Sequence, residues 1–435
     1  MPRLRRMSVS TIESLEQRIV PSVTMTQLDL DSDGSADDLR IVGGNESTKI
    51  KITDEGVGQG SMLLDLDING DGDFADVGDL QVLLFVVDDT RVIDLQLGGG
   101  NDQVVYALSD SLLNSTRRLI VDLGKGNDEF SLLGANHLIG NGSLLDIDLL
   151  AGAGNDLMTV DMPSVLNSTF LIDANMGDGN DRVEMSARLG SGTVIDNDAS
   201  VGLSFELGKG KNSVQTSMDL DVGVSTKADV DLDILGGTGI DEVVISTTGD
   251  IGNGTLSSTF VVNAELSGGN DVFDYRMSKL DLNANSELWV RGSGGSGNDR
   301  LGVTDSLHRV INVKGFARFD LIGGAGNDQL HSRLAAEDGQ LLLQGALRVN
   351  IDGQDGIDTI EALLNVAAAS TGLYSLVAQG GAGKDAFLLG LETNGASLTL
   401  GLDGTLVIDG GQGIDKLQTT VPQTLVEVQL VETFV

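Results

Sequence analysis

The sequence predicts an all-β protein, a parallel β-solenoid (β-helix) of about twelve rungs that follows an irregular N-terminal β region. Three observations predict this fold class. A glycine-rich loop ending in aspartate recurs about every 29 residues, alternating apolar segments flank it, and a large apolar residue follows it at a fixed distance. One such unit has no means of burying its apolar face alone, whereas stacked units bury a continuous core.

The recurring loop, called here the turn loop, has its fullest form in "GGAGNDQLHS" from residue 323. It occurs twelve times, at spacings of 25 to 31 residues. Every copy has glycine two positions before the last polar residue and a large apolar residue two positions after it. The aligned polar residues, called here the Asp column, are Asp102, Asp128, Asp156, Asp181, Asn212, Asp241, Asp271, Asp299, Asp328, Asp358, Asp385 and Asp415.

The segments around the turn loops predict strands. Alternating stretches such as "RLIVDL" and "TFLIDAN" lead into the loops, and a weaker apolar patch lies midway between them, as at Leu138 and Ile139. Apolar residues at period two indicate a strand on each side of the loop, and the patch indicates a third. A chain of antiparallel hairpins is the alternative, since a loop of this length also joins hairpin strands. The uniformity of the loops favours the solenoid.

The chain divides into four predicted segments. Residues 1–25 form an export or sorting segment, and residues 26–95 an irregular β region with two Asp-rich loops. Residues 96–420 form the repeat solenoid, and residues 421–435, with the alternating "QTLVEVQLVETFV", form a capping strand. The longest apolar runs, such as "LQVLLFVV" at 80–87, are too short to span a bilayer, so no membrane span is expected.

The net charge limits the range of partners. The chain has 435 residues and a formal net charge of −38, which argues against binding to nucleic acid or to anionic membranes. The acidic residues are 50 Asp and 15 Glu, and many Asp lie beside Gly or Asn. This pattern indicates turns and oxygen ligands for a hard cation such as Ca²⁺. The chain contains no cysteine, so disulfide and cysteine–zinc chemistry are excluded.

Two loops before the regular repeat also predict calcium sites. In "DLDSDGSADD" at 29–38, Asp29, Asp31, Asp33 and Asp37 occupy positions 1, 3, 5 and 9. This is the order of oxygen ligands in an EF-hand loop. The segment "DINGDGDFADVGD" at 67–79 repeats the theme. Its candidate ligands are Asp67, Asn69 and Asp71, with Asp76 or Asp79 as the later one. The alternative for both loops is an Asx-rich turn that binds no metal.

The turn loops resemble the GGxGxDxU repeats of the RTX, or haemolysin-type, calcium-binding proteins. The segments "GGTGIDEVV", "GGAGNDQLH", "GGAGKDAFL" and "GGQGIDKLQ" carry the resemblance. It implies calcium ligation by the eleven aspartates of the Asp column, while Asn212, in "GKGKN", is not expected to bind metal. The family repeats run every nine residues, whereas these loops recur about every 29. The alternative is turn chemistry without metal, in which stacked Asn side chains form a hydrogen-bonded ladder.

The segment "LEQRIVPS" at 15–22 resembles the LExRxxPS-type segment of many envelope and extracellular proteins of planctomycete bacteria. The resemblance implies an extracellular or cell-envelope location. The expected function is therefore that of a calcium-stabilised structural or adhesive module. A cell-surface polysaccharide or a matrix protein is its candidate partner.

The alternative is a calcium-dependent polysaccharide-binding or lyase-like β-helix enzyme that uses a basic patch at 291–348. Arg318 and Arg348 each precede an Asp-column residue by ten positions, so they are predicted to project side by side. No Ser/His/Asp order or His-based metal motif accompanies the patch, so no enzymatic activity is expected. The patch comprises Arg291, Arg300, His308, Arg309, Arg318, His331, Arg333 and Arg348.

Overall fold

The computed structural model describes residues 23–56, 61–67, 74, 79–85, 90–187, 193–252, 254–305, 311–334, 341–401, 405–431 and 433–434. They form a parallel β-solenoid, which confirms the predicted fold class. A single 3-10 helix, Gln423–Leu425, is present in this part of the chain. Across the same residues, no helix has the length and apolar character needed to cross a membrane.

Each turn contains an entry strand before the turn loop and an exit strand after it. The entry strands are Asp38–Val42, Thr90–Gln96, Thr116–Asp122, Leu144–Leu150, Thr169–Asn175, Ala199–Glu206, Ala228–Leu235, Thr259–Glu265, Glu287–Ser296, Phe316–Gly326, Ala346–Gly356, Leu373–Gln379, Leu406–Asp409 and Val426–Gln429. The exit strands are Lys49–Asp54, Gln103–Leu108, Glu129–Leu133, Leu157–Asp161, Arg182–Ala187, Lys209–Val222, Thr238–Ile251, Val272–Leu282, Arg300–Asp305, Gln329–Leu334, Thr359–Asn365, Ala386–Glu392, Lys416–Thr419 and Thr433–Phe434.

Shorter strands complete many of the turns. Three long exit strands, beginning at Lys209, Thr238 and Val272, continue through the position of a third strand. Separate third strands are Leu112–Leu113, Leu138–Gly140, Ser164–Leu166, Thr193–Asp196, Ile311–Val313 and Leu342–Leu343. Three more two-residue strands lie beside the entry sheet, at Ala382–Gly383, Thr399–Leu400 and Gln412–Gly413.

Equivalent strands of successive turns pair in parallel and in register. Leu144–Leu150, for example, lies between Thr116–Asp122 and Thr169–Asn175 with all seven residues paired on each side. The entry strands form one sheet, and the exit and third strands form the other. Because these pairs are parallel, the repeat is a solenoid and the hairpin alternative is wrong.

The core lies between the two sheets. Along Leu144–Leu150, Leu145, Ile147 and Leu149 point inward and are buried, while the alternate residues are partly or fully exposed. The apolar residue two positions after each Asp-column residue is also buried. Each such side chain contributes about 1.5–3 kcal/mol to the stability of the fold. These residues are Val104, Phe130, Met158, Val183, Val214, Val243, Phe273, Leu301, Leu330, Ile360, Phe387 and Leu417.

The solenoid begins within the region predicted as irregular β. Asp38–Val42 pairs in parallel with Thr90–Gln96, and Lys49–Asp54 pairs in parallel with Gln103–Leu108. Antiparallel strands then cover this end of both sheets. Thr24–Leu28 pairs with the first entry strand, and Ser61–Asp67 and Leu80–Phe85 extend the exit sheet from Lys49–Asp54. They protect edges that would otherwise be free to pair with another chain.

A buried polar network holds the first turn against the next two. Asp54 accepts hydrogen bonds from Nε of Arg117 at 2.7 Å and from the hydroxyl of Tyr106 at 2.6 Å. Burial, and then the charge of Asp54, raises the pKa of Tyr106, so its hydroxyl remains a donor. Removing Arg117 would leave the buried carboxylate of Asp54 without its counter-charge, which is strongly destabilising.

The C-terminal segment, predicted as one capping strand, contributes a short strand to each sheet. Val426–Gln429 pairs in parallel with Leu406–Asp409, and Thr433–Phe434 pairs in parallel with Lys416–Thr419.

Candidate functional site

The glycine two positions before each Asp-column residue is required by the stacking of the turn loops. Gly326 has φ of 150°, and a Cβ atom placed on it would lie 1.4 Å from the carbonyl oxygen of Gly297 in the preceding turn. Gly356 stands in the same relation to Gly326, also at 1.4 Å. Any side chain here would therefore prevent the turns from stacking, which explains the presence of glycine in every copy.

The Asp-column side chains form a hydrogen-bonded ladder along the solenoid. Oδ1 of Asp328 accepts the backbone N–H of Asp299 at 2.8 Å, and the N–H of Asp328 donates to Oδ1 of Asp358 at 2.8 Å. The same bond, at 2.7 to 2.9 Å, joins the other successive aspartates of the column. Every column residue is 2% exposed or less. The column therefore satisfies buried N–H groups that have no other acceptor in the turn loop.

A second ladder, of asparagines, runs beside the first in the opposite sense. The residue before each Asp-column residue is often Asn, and its Oδ1 accepts from the next turn. The N–H of Asn327 donates to Oδ1 of Asn298 at 2.8 Å, and the N–H of Ile357 donates to Oδ1 of Asn327 at 2.9 Å. The hydrogen-bonded Asn ladder considered from the sequence is therefore present. The turn loops are held together by their own side chains.

The second carboxylate oxygen of the column is the unusual feature of the site. Oδ2 is buried without a hydrogen-bond partner in Asp102, Asp128, Asp156, Asp181, Asp271, Asp299, Asp328, Asp358 and Asp385. A buried acceptor of this kind disfavours the ionised form unless a proton or a cation compensates it.

Burial is the main cause of raised pKa values along the column. It raises the pKa of Asp102, Asp299 and Asp358 to about 6, and that of Asp128, Asp181 and Asp271 to about 7. Neighbouring column carboxylates add to the shift at Asp128 and Asp271, while hydrogen bonds from the backbone oppose it. These six carboxylates therefore change their charge near neutral pH.

Asn212 replaces the carboxylate in one turn and bonds to both of its neighbours in the column, to one of them through its side-chain amide. Its Oδ1 accepts the N–H of Asp181 at 2.9 Å, and its Nδ2 donates to Oδ1 of Asp241 at 3.0 Å. A neutral amide thus fits the column geometry, which shows that the ladder itself needs no negative charge.

The N-terminal Asp-rich loop brings three carboxylates together. Ligand oxygens of Asp29, Asp31 and Asp38 all lie within 4.8 Å of one another, an arrangement that can hold a metal ion. We call these three residues the acidic group. It is the one such group of three or more His, Cys, Asp or Glu side chains in the described part of the chain. Asp29 is exposed, Asp31 is half-buried and Asp38 is buried.

The acidic group differs in composition from the predicted ligand set, which contained Asp33 and Asp37 but not Asp38. Asp37 is buried, and its carboxylate lies 3.9 Å from the Arg91 guanidinium. Asp38 is the first residue of the first entry strand. Its side chain points back towards the loop, where its Oδ2 accepts the N–H groups of Leu30 at 2.7 Å and of Asp31 at 3.0 Å. The sequence does contain a signal for this ligand, because a further aspartate, Asp38, directly follows Asp37.

Burial, and repulsion from Asp38 and the other acids nearby, raise the pKa of Asp31. The carboxylates therefore repel one another here, and a bound cation would relieve that repulsion.

The second Asp-rich loop lies mostly outside the described residues. Asn69, Asp71 and Asp76 fall there, while Asp67 ends the strand Ser61–Asp67 and is buried.

The basic patch proposed for an enzyme is divided between the two sheets. Arg318 and Arg348 are register partners on the entry sheet, as predicted. Arg300, His331 and Arg333 belong to the exit sheet. His308 and Arg309 lie outside the described residues.

Carboxylates neutralise several members of the patch. Arg291 pairs with Glu265, Arg318 with Asp320 at 2.7 Å, and Arg333 with Glu361 at 2.5 Å. Burial lowers the pKa of His331. The described members of the patch are therefore divided between two sheets, and three of its arginines are paired with carboxylates.

No family model, curated protein or solved structure matches this chain.

Proposed function

We propose that this protein is an extracellular or cell-surface calcium-binding β-solenoid that serves as a structural and adhesive module. The acidic group of Asp29, Asp31 and Asp38 is the observation that carries the proposal. Calcium takes six to eight oxygen ligands in flexible geometry, and a partly exposed cluster of carboxylates beside a loop suits it. The net charge of −38 favours cation uptake further.

The Asp column is the second candidate for calcium. Its buried Oδ2 atoms are acceptors without a hydrogen-bond partner, which supports a metal role. Its Oδ1 atoms already accept backbone N–H groups, and Asn212 takes the same place without a charge, which supports a purely structural role. The proposal therefore assigns the first calcium ion to the acidic group and a stacking role to the column.

The structural role rests on the regularity of the stack. Parallel sheets, two side-chain ladders and antiparallel strands at the N-terminal end make a stiff support for surface side chains. The location outside the cytoplasm rests on the "LEQRIVPS" segment, which lies outside the described residues. A polysaccharide or a matrix protein is the proposed partner.

Calorimetric titration of EGTA-treated, desalted protein with calcium chloride tests the proposal. We expect about one site per chain, with a Kd of about 10⁻⁴–10⁻³ M, the usual range of extracellular calcium modules. Asp31→Asn should abolish this site, because it removes one charge but keeps the oxygen that accepts the N–H of Asp33. Asp173→Asn, at an exposed position of the entry sheet, is the matched control and should bind as the natural protein does.

The stoichiometry separates the two candidate positions. If the titration instead finds several calcium sites, and Asp328→Asn reduces their number while Asp31→Asn does not, then the Asp column binds the calcium. Absence of heat and of any calcium effect on the melting temperature would refute calcium binding altogether.

A further inference from the structure

The outward face of the entry sheet carries a shallow groove of about 350 Å³ across four neighbouring strands. The strands are Glu287–Ser296, Phe316–Gly326, Ala346–Gly356 and Leu373–Gln379. At a spacing of 4.7–4.9 Å per strand, the groove runs for roughly 14 Å along the solenoid axis. The residues that matter for its chemistry are Trp289, Arg318, Asp320, Asn350, Asp352 and Gln379.

An exposed, firmly held tryptophan lies at one end of the groove. Trp289 is the single tryptophan of the chain and is 40% exposed. Its Nε1 donates to Oδ2 of Asp320 at 3.0 Å, and the Arg318 guanidinium lies over one face of the ring, 5.1 Å from its centroid. These contacts fix the orientation of the indole before any ligand arrives, so little conformational entropy would be lost on binding. A fixed, amphipathic ring of this kind is a stacking surface for an apolar face of a ligand.

Free polar groups lie at the other end. Asp320 is already engaged, since Asn350 donates to its Oδ1 at 2.5 Å. Asp352 and Gln379 are register partners on adjacent strands. Neither of the two makes a hydrogen bond or ion pair to another side chain in the described ranges. Because adjacent strands lie about 4.8 Å apart, this carboxylate and this amide offer acceptors and a donor to neighbouring hydroxyl groups of one ligand.

The groove offers no unpaired positive charge. Of its charged lining residues, Arg318 pairs with Asp320 and Arg291 pairs with Glu265 beside the groove, which leaves the carboxylate of Asp352. The chain as a whole carries −38, so long-range forces repel polyanions from this surface. An aromatic surface, free hydroxyl-binding groups and no unpaired arginine among the lining residues together favour a neutral ligand rich in hydroxyl groups over an anionic one.

We propose that the groove from Trp289 to Gln379 binds a neutral saccharide chain. One sugar ring stacks its C–H face on the part of the Trp289 indole that Arg318 leaves exposed, and the hydroxyls of a ring further along bond to Asp352 and Gln379. The assignment rests on the adhesive part of the proposed function and names its ligand. The calcium titration tests the metal part separately, since none of the groove residues belongs to the acidic group.

Affinity electrophoresis in native gels tests the assignment. The gels contain hydroxyethylcellulose, laminarin or galactomannan as neutral polymers, and polygalacturonate or alginate as anionic ones. We expect at least one neutral polymer, and neither anionic polymer, to retard the protein. Trp289→Ala should abolish the retardation. Asp352→Ala and Gln379→Ala should each weaken binding about tenfold, the effect of one hydrogen bond to a well-placed polar group. Asp173→Ala, on the same sheet away from the groove, should have no effect.

Tryptophan fluorescence gives a second, direct readout. Because Trp289 is the single tryptophan, a saturable change on adding an oligosaccharide of the retarding polymer reports binding at this groove. Circular dichroism of each variant confirms that its fold is intact. Failure of all three neutral polymers to retard the protein, retardation by anionic polymers alone, or full retention by Trp289→Ala would each overturn the assignment.

Discussion

The backbone N–H of Asp299 donates a 2.8 Å hydrogen bond to Oδ1 of Asp328, one turn further along the solenoid. This relationship repeats along the Asp column and gives the aspartate a role that does not require metal. It also explains how Asn212 takes one of the twelve column positions without interrupting the ladder. The structural and the metal roles make different predictions for the same side chain.

Replacing Asp328 separates these roles. We expect Asp328→Ala to lower the free energy of unfolding by about 1–3 kcal/mol, because the buried N–H of Asp299 loses its acceptor. Asp328→Asn keeps an acceptor oxygen and should cost much less. Urea unfolding of both variants in EGTA and in millimolar calcium gives the measurement. If Asp328→Ala lowers the free energy of unfolding in millimolar calcium but not in EGTA, then the column binds metal and the hydrogen bond contributes little.

The glycine column should tolerate no side chain. Gly326→Ala would place Cβ 1.4 Å from the carbonyl oxygen of Gly297, so adjacent turns would have to separate. We expect a cost above about 3 kcal/mol, or loss of cooperative unfolding in thermal scans. Gly142→Ala is the matched control, because Gly142 also has a positive φ of 80° but no atom within 4 Å of the added Cβ. It should cost only about 1–2 kcal/mol, the strain of a left-handed alanine. Equal effects of the two substitutions would contradict the stacking argument.

Much of this architecture could be predicted from the sequence, because stacking imposes one residue type on each column. The glycine and the apolar residue occupy equivalent places in all twelve turn loops, and the aspartate does so in eleven of them, so their repetition indicates the solenoid directly. The first turn was overlooked because its loop places Thr48 where later turns have aspartate. Thr48 nevertheless donates its N–H to Oδ1 of Asp102 at 2.6 Å, as a column residue does.

The candidate sites were less accessible to sequence reasoning. Whether an aspartate points along the column or towards solvent depends on backbone geometry that spacing does not specify. For this reason the opposed directions of the Asp and Asn ladders could not be anticipated. The same limit applies to Asp38, whose carboxylate turns back towards Leu30. The saccharide groove arises from residues about 30 positions apart that become neighbours only through strand register.

The raised pKa values of the Asp column predict a stability that falls with rising pH. Burial raises the pKa of Asp271 from 3.8 to about 7, so between these values the folded chain binds more protons than the unfolded chain. The contribution of Asp271 to the free energy of unfolding is therefore fully present below about pH 4 and is lost as the pH rises through about 7. In EGTA, we expect the melting temperature at pH 5 to exceed that at pH 8 by more than about 3 °C.

Asp271→Asn should make this pH dependence shallower, because one titrating group is removed while the acceptor for the N–H of Asp241 remains. The variant should melt higher than the natural protein at pH 8 and close to it at pH 5. Asp173→Asn removes an exposed carboxylate and serves as the control for net charge. If Asp173→Asn flattened the profile as much as Asp271→Asn, general charge repulsion would explain the effect.

Asn212→Asp, the reverse substitution, should steepen the pH dependence. The new carboxylate would lie between Asp181 and Asp241, and it would lose the Nδ2 group that donates to Oδ1 of Asp241 at 3.0 Å. Protonated at pH 5, it can still donate one hydrogen bond, so the melting temperature there should change little. At pH 8 its ionised form would be buried beside two like charges, and the melting temperature in EGTA should fall by several degrees.

An equal fall at both pH values would mean that the loss of the amide, rather than the added charge, destabilises the ladder. Recovery of the pH 8 melting temperature in millimolar calcium would instead show that a completed carboxylate column recruits the ion.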